Sequence, residues 1–371
     1  MSISKKNKIA EIKAAISNLG FKAPNLKKDD LLLFYSGALR MKEENIQETK
    51  INKELVLDYT PLYMREGVDY QTHLVEYGWC VVQTEDFPLQ EIREGFFSWL
   101  ERACSRFSST DKSTWLKKNM PYANKGIFKQ YIGHTEFCWQ MRESVYPAFT
   151  SLWGEENLLT SFDGGCFLTG EKNIDYKNWI VPLCGILCNA LRYIKHCDQS
   201  RKEEDFVCVQ GVVNLYDSGE EDGGTLLMEG SHKCFSSYLQ QHPIDGLSAF
   251  FPIDPFCSTL SSCPIVKPCL KAGELLLFDS RVFHCNVAPK GEQPRMCLYV
   301  SMAPRRGADE KLLQKRIQTY EKGRMTGHWC YGDGFTVCPE HAHHLYSKGY
   351  PVPEAEIAPC NTELRRRLIG Y

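Results

Sequence analysis

The sequence has no hydrophobic run of membrane-spanning length. Its longest apolar stretch, Trp179 to Leu191, is interrupted by Pro182, Gly185 and Asn189 and closed by Arg192. That is short of the roughly 20 residues needed to cross a bilayer, so a buried core segment is expected there and no membrane. Nor is there an excess of one charge: 44 Lys+Arg stand against 46 Asp+Glu, a formal net charge of -2. This balance argues against a strongly basic nucleic-acid binder, although a local basic patch remains compatible with it. Internal repeats and low-complexity tracts are lacking, which sets aside solenoids and compositionally biased linkers. The first thirty residues are polar and Lys-rich, without the apolar core of a secretory leader. What is there is a chain of 371 residues, 43% of them hydrophobic, enough to bury at least one sizeable core.

Cysteine is abundant, with seventeen residues. In a short secreted chain that count would signal a disulfide framework. Without a leader, the expectation is a reduced intracellular protein, placed in the cytoplasm, whose cysteines act mostly as small buried hydrophobes.

Residues 1–45 look separable. Ile9, Ile12, Ile16 and Leu19 recur at helical spacing with Gly20 as a stop, and Leu31 to Tyr35 suggest a second short helix with Asn25 as a cap. Through Arg40 this segment has eight Lys/Arg against three acids, a balance of +5. The layout is similar to a SAP-type two-helix DNA-binding motif; the simpler reading is a helical accessory module that packs on the main domain or on another subunit. Residues 46–58 are expected to be a linker, and 59–371 the main domain. Within it, Trp79 to Thr84 reads as a strand and Leu89 to Cys104 as an amphipathic helix. Later come short β-rich runs at Phe206 to Tyr216, Gly224 to Met228, Leu275 to Phe278 and Met296 to Met302, before a helical pattern at Ala308 to Lys322. Short strands separated by Gly, Pro and Asp turns point to a sandwich or jelly roll.

The chemistry concentrates in a few residues. In His196-Cys197-Asp198, extended-chain alternation puts His196 and Asp198 on one face while Cys197 turns away. Taken alone, the spacing is common. His284 follows the apolar run Glu274 to Asp279, and Arg295 comes eleven residues after it at the start of another strand. Two imidazoles and one carboxylate make a facial set that leaves three positions of an octahedral iron open. An Arg one strand further can hold a carboxylate through a two-pronged charged hydrogen bond.

These residues, in this order, resemble the phytanoyl-CoA dioxygenase-like branch of the Fe(II)/2-oxoglutarate-dependent oxygenases. The similarity runs from about residue 130 to about 330: Leu158 to Gly164 (LLTSFDG), HCDQS with the HxD pair, VQGVVNLY followed by GGTLLMEGSH, ELLLFDSRVFHCN, and QPRMCLYVSMAPR. The resemblance implies an α+β fold, a double-stranded β-helix (jelly-roll or cupin-like) core at about 160–305 flanked by helices, with a small N-terminal helical extension. It further implies that His196, Asp198 and His284 bind Fe(II) and act in catalysis, and that Arg295 holds the distal carboxylate of 2-oxoglutarate with help from Asn286. Gln210, Asn214 and Thr225 are candidates to face the co-substrate. The implied activity uses O2 to hydroxylate a C–H bond of a small-molecule or acyl substrate, releasing succinate and CO2. One departure is Glu229 where the family has Pro in its Pro-Gly-Ser-His turn, which bears on loop shape more than on metal binding.

Other polar residues have plainer readings. His232 is expected to be a turn residue. His134 and Arg142 either line a substrate entrance or, for Arg142, pair with a local acid. Cys330, Cys338, His341, His343 and His344 have zinc-type donors, yet their spacing fits no common structural zinc pattern, and an exposed loop is expected. The alternative function is a catalytically silent barrel-fold module recruited to nucleic acid or a protein partner by residues 1–45. The sequence does not fix the substrate or the oligomeric state.

Overall fold

The computed structural model describes residues 8–18, 35, 59–124, 126–128, 130–169, 196–199, 204–241, 251–252, 257–260, 262–338 and 349–371. The run 179–191, the second N-terminal helix apart from Tyr35, the linker 46–58 and His341, His343 and His344 lie outside them. The first expected helix is present as α1 (Ile9–Asn18). No helix among the described residues is long and apolar enough to cross a membrane.

Mixed helix and sheet follow. The strands are β1 (Thr60–Leu62), β2 (Trp79–Val82), β3 (Ile127–Phe128), β4 (Leu158–Thr160), β5 (Gly165–Leu168), β6 (His196–Cys197) and β7 (Val209–Asn214), then β8 (Gly224–Met228), β9 (Phe251–Pro252), β10 (Ile265–Pro268), β11 (Leu275–Asp279), β12 (His284–Val287) and β13 (Arg295–Pro304). The helices after α1 are α2 (Tyr70–Tyr77), α3 (Leu89–Ala103), α4 (Glu136–Trp153), α5 (Phe235–Gln241), α6 (Glu310–Glu321) and α7 (Glu363–Ile369). One sheet runs β1-β10-β8-β12-β6-β9; the other runs β2-β11-β7-β13-β5-β3, with β4 added on β13. All pairings are antiparallel except β1 with β10.

Alternation divides each strand between two environments. In β7, Val209 and Val213 pack beneath α3 and α4 with Phe96, Leu100, Val145 and Phe149. Val212 instead faces a second cluster shared between the two sheets, with Leu227, Val266, Leu276, Phe278 and Cys297. On the first sheet, Leu226, Met228, Cys285 and Val287 turn outward onto Phe235 and Tyr238 of α5. The strands are buried on both faces, which is why ELLLFD and MCLYVSM read as nearly continuous apolar runs. A layer of side chains thus lies between the sheets, and the polar members of that layer carry the site.

The C-terminal part is pinned to this frame by Arg316 of α6, fully buried and donating to the carbonyls of Thr160, Cys330, Leu368 and Ile369. No disulfide joins the described cysteines. Cys330 is buried and its thiol donates to the Ser301 carbonyl, which corrects the exposed-loop expectation for that residue. Its hydrogen bond to β13 makes it part of the core.

Candidate metal centre

β6 and β12 are antiparallel neighbours in a register that sets His284 directly opposite His196. The two rings meet edge to face with centroids 4.4 Å apart. Asp198 follows β6 by one residue, and its Oδ1 is 3.8 Å from His196 Nε2 while its Oδ2 is 3.3 Å from His284 Nε2. One ligand atom from each of the three lies within 4.8 Å of the others. Cys197 and Cys285 point away as alternation requires, into the outer cluster, and the Cys197 thiol donates to the Ser280 carbonyl. The His284 ring is held from behind: Nδ1 sits 2.9 Å from the Val282 carbonyl. A carbonyl only accepts, so Nδ1 carries a hydrogen and Nε2 is the nitrogen that faces the cluster. Burial alone would raise the Asp198 carboxyl, but His196, His328 and His284 together hold it well below the usual carboxylate range. An ionised carboxylate and an imidazole oriented with Nε2 toward it are donors of the kind a divalent cation takes.

Two residues along β12, on the same face as His284, Asn286 leads to a second polar group. Arg295 is buried and donates through Nη2 to Asn286 Oδ1 at 3.0 Å and Thr225 Oγ1 at 3.4 Å. Its Nη1 reaches Cys166 Sγ and Tyr299 Oη, each at 3.4 Å. Every one of these partners is uncharged. No carboxylate among the described residues pairs with this guanidinium, and its Nε has no hydrogen-bond partner among them. Arg142 and Arg316 are also buried, but they donate to main-chain carbonyls at 2.6–3.1 Å. Three of the four Arg295 contacts are at 3.4 Å, and a planar guanidinium held this loosely is suited to meet a carboxylate with paired hydrogen bonds. Gly223 explains part of the GG motif: a Cβ there would lie 2.9 Å from Arg295 Cβ and 2.8 Å from Pro289 Cδ.

Of the sequence-derived candidates, His196, Asp198 and His284 converge in one cluster, and Arg295, Asn286 and Thr225 in another. Gln210 and Asn214 share the inner face of β7 with Val212 and are both buried; Gln210 Nε2 is unpartnered among the described residues. His134 and Arg142 do not line an entrance. His134 is buried against Phe162 and Tyr320 and bonds the Arg324 carbonyl, and Arg142 donates to the carbonyls of Gly133 and Asp163. His232 is a buried turn residue that donates to the Val75 carbonyl. Glu229 accepts two hydrogen bonds from Arg65, at 2.7 and 3.0 Å, and one from Trp79, so the residue replacing Pro ties the turn to the segment before α2.

Two residues near the cluster carry no signal in the sequence. His328 and Trp329, from the irregular segment after α6, both donate to the Asp198 carbonyl, at 3.1 and 3.0 Å. His328 Nδ1 lies 3.9 Å from Asp198 Oδ2. Tyr299, by contrast, was accessible to alternation, since residues 295, 297 and 299 share one face of β13.

No family model matches the chain. It is 29% identical over 238 residues to Ava biosynthesis cluster protein O of Aspergillus versicolor, spanning 60% of this chain and 72% of that protein. It is 22% identical over 237 residues to a Dictyostelium discoideum protein named "Putative phytanoyl-CoA dioxygenase", spanning 56% and 66%. Among solved structures it is similar to the non-haem alpha-ketoglutarate-dependent carbocyclase SnoK from nogalamycin biosynthesis, at 13% identity and a TM-score of 0.42 over 79% of this chain and 96% of that one. The epimerase SnoN, solved with Fe3+, alpha-ketoglutarate and nogalamycin RO, gives 14% identity and a TM-score of 0.41 over 63% and 82%. By its ordered motifs and by its Dictyostelium relative, the chain resembles the phytanoyl-CoA dioxygenase-like family of Fe(II)/2-oxoglutarate-dependent oxygenases.

Proposed function

We propose that the chain is a non-haem Fe(II)- and 2-oxoglutarate-dependent oxygenase with a double-stranded β-helix core, acting on a small-molecule or acyl substrate. The observation that carries the reading is the pairing of two clusters by one strand. His284 belongs to a three-donor set, and Asn286, two residues on, touches a buried guanidinium that pairs with no carboxylate among the described residues. Two residues of extended chain span about 6.6 Å, a distance suited to a short dicarboxylate held by a metal at one end and Arg295 at the other.

His196, Asp198 and His284 would hold the iron on one side, leaving its other positions for co-substrate and O2. When bound, the metal and 2-oxoglutarate supply oxidation coupled to release of succinate and CO2. The chain's own residues do the rest. Arg295 would neutralise the distal carboxylate, Asn286 and Thr225 fix the guanidinium plane, and Gln210 Nε2, unpartnered among the described residues, offers one more donor. The apolar layer of Leu227, Val212, Leu276 and Phe278 excludes water from the space between the sheets. Oxidation of a substrate C–H bond, with hydroxylation as the simplest outcome, is the reaction such a site supports. The intact donor set speaks against the silent binding-module alternative.

The test is succinate formation from 2-oxoglutarate with added Fe(II) under O2, first alone and then across a panel of small metabolites and acyl thioesters. Substrate-stimulated succinate release is the expected result. Failure of the anaerobic protein to bind either Fe(II) or 2-oxoglutarate would overturn the reading.

A further inference from the structure

Cys297 of β13 lies directly opposite Cys166 of β5. Both are fully buried in the layer between the sheets. Further along the same ladder, the Tyr299 amide donates to the Gly164 carbonyl at 2.9 Å. Hydrogen-bonded pairs recur every second residue in an antiparallel ladder, so Cys166 and Cys297 also occupy such a pair, with Cα atoms about 5.5 Å apart. That lies inside the roughly 4.4–6.8 Å spanned by disulfides. Arg295 Nη1 sits 3.4 Å from Cys166 Sγ.

We propose that Cys166 and Cys297 form an oxidisable dithiol in the wall of the carboxylate pocket, converted by a peroxide into a cross-strand disulfide. The consequence for co-substrate binding rests on the function proposed above; the oxidation itself does not. Burial opposes ionisation of Cys297, but the facing Cys166 thiol, the charge of Arg295 and the Tyr299 hydroxyl outweigh it and bring the thiol down to about 7. Burial pushes Cys166 well above its ordinary value. One sulfur is thus suited to attack and the other to resolve. The Cys297 thiolate attacks one peroxide oxygen, the O–O bond breaks and hydroxide leaves, giving a sulfenic acid. Cys166 then attacks the Cys297 sulfur, the S–O bond breaks, and the hydroxyl departs with the Cys166 proton as water. In sum, two thiols and one hydrogen peroxide give one disulfide and two waters.

Access follows from the position of Arg295. A carboxylate that reaches Nη1 comes into contact range of Cys166, so a smaller oxidant can use the same route, and a bound co-substrate blocks it. Disulfide formation ties Cys166 to Cys297 and disturbs its contact with Arg295, so 2-oxoglutarate binding should weaken about tenfold, the effect of losing one hydrogen bond to a charged group.

The experiment treats metal-free full-length protein with hydrogen peroxide and maps non-reduced peptides by mass spectrometry. A dithiothreitol-reversible Cys166–Cys297 cross-link is expected, and Cys166→Ser should leave a dione-trappable sulfenic acid at Cys297. Protein carrying Mn(II) should be oxidised more slowly with 2-oxoglutarate than without it. Oxidation elsewhere with no 166–297 cross-link in the wild type overturns the proposal even if the variant fails to fold. Equal oxidation with and without 2-oxoglutarate overturns the placement of the pair in the pocket. If the cross-link forms but reduced Mn(II) protein binds no 2-oxoglutarate by calorimetry, the dithiol stands and the proposed function fails. If 2-oxoglutarate binds but no cross-link forms, the function stands and the dithiol fails.

Discussion

His196 and His284 face each other as a register pair across the β6/β12 ladder, so strand pairing alone brings together two imidazoles that are far apart in the chain. A one-residue slip would turn both to the outer face and expose Cys197 and Cys285 in their place.

Removing either imidazole breaks the donor set without emptying the apolar core, since His196 is partly exposed and His284 faces the polar cluster. His196→Ala and His284→Ala should each weaken Mn(II) or Fe(II) binding by more than about a hundredfold, beyond the roughly 10–100-fold typical of outer-shell losses. Calorimetric titration checks this, with circular dichroism to show that the melting profile persists. Binding that survives either change unaltered would rule out this centre.

Arg295 should govern 2-oxoglutarate and not the metal. Its loss removes charged hydrogen bonds worth about 1.5–3 kcal/mol, so Arg295→Ala should raise the 2-oxoglutarate Kd or KM by about 10–150-fold at unchanged metal affinity. Gly223→Ala tests the same pocket from its floor. The new methyl would meet Arg295 Cβ and Pro289, and the expected outcome is weaker co-substrate binding with the Mn(II) titration unaffected.

The sequence carried much of this because the relevant rules are local. Alternation placed His196 and Asp198 together and Cys197 apart, as the three-donor cluster and the outer apolar cluster show, and it puts Gln210 and Asn214 on the face of Val212, which lies between the sheets. Strands were legible because each is apolar on both sides, although their ends were not: the run 206–216 shortens to Val209–Asn214, and 296–302 extends to Arg295–Pro304. What escaped was whatever depends on tertiary contact. Cys166 meets Arg295 only through the β5/β13 register. Glu229, noted as an irregular turn residue, is bound by Arg65 and Trp79. His134 and Arg142 carry polar side chains typical of a site yet serve the core. His328 and Trp329 come from a segment without periodicity, and only folding brings them to Asp198.

Those two residues give a further prediction. Two donors converge on the Asp198 carbonyl, fixing the backbone from which the carboxylate projects. Trp329 is nearly fully buried, so Trp329→Phe, which keeps an aromatic ring and deletes the N–H, isolates the hydrogen bond. Metal affinity should fall about 10–100-fold, as for other groups that orient ligands. The Co(II)-substituted protein should show altered visible ligand-field bands, which loss of general stability would not produce. An unchanged spectrum and affinity would reduce Trp329 to packing.

His134 makes the acid side of the stability profile predictable. Burial lowers its pKa from the ordinary 6.5 to about 3, the hydrogen bond to the Arg324 carbonyl opposing this, and the nearby Arg142 charge adding to it. Between those values the unfolded chain binds a proton that the folded chain refuses. Stability from this residue is therefore fully present above about pH 6.5 and is lost as the pH falls toward 3, at up to about 1.4 kcal/mol per pH unit. His134→Gln retains a side-chain N–H donor for the Arg324 carbonyl but cannot take up a proton. Urea unfolding from pH 7 to pH 4 should then show the variant less stable than the wild type at neutral pH, by about 1 kcal/mol for imperfect packing, with a shallower decline on acidification. Parallel pH profiles would mean that His134 titrates normally and is not sealed from water.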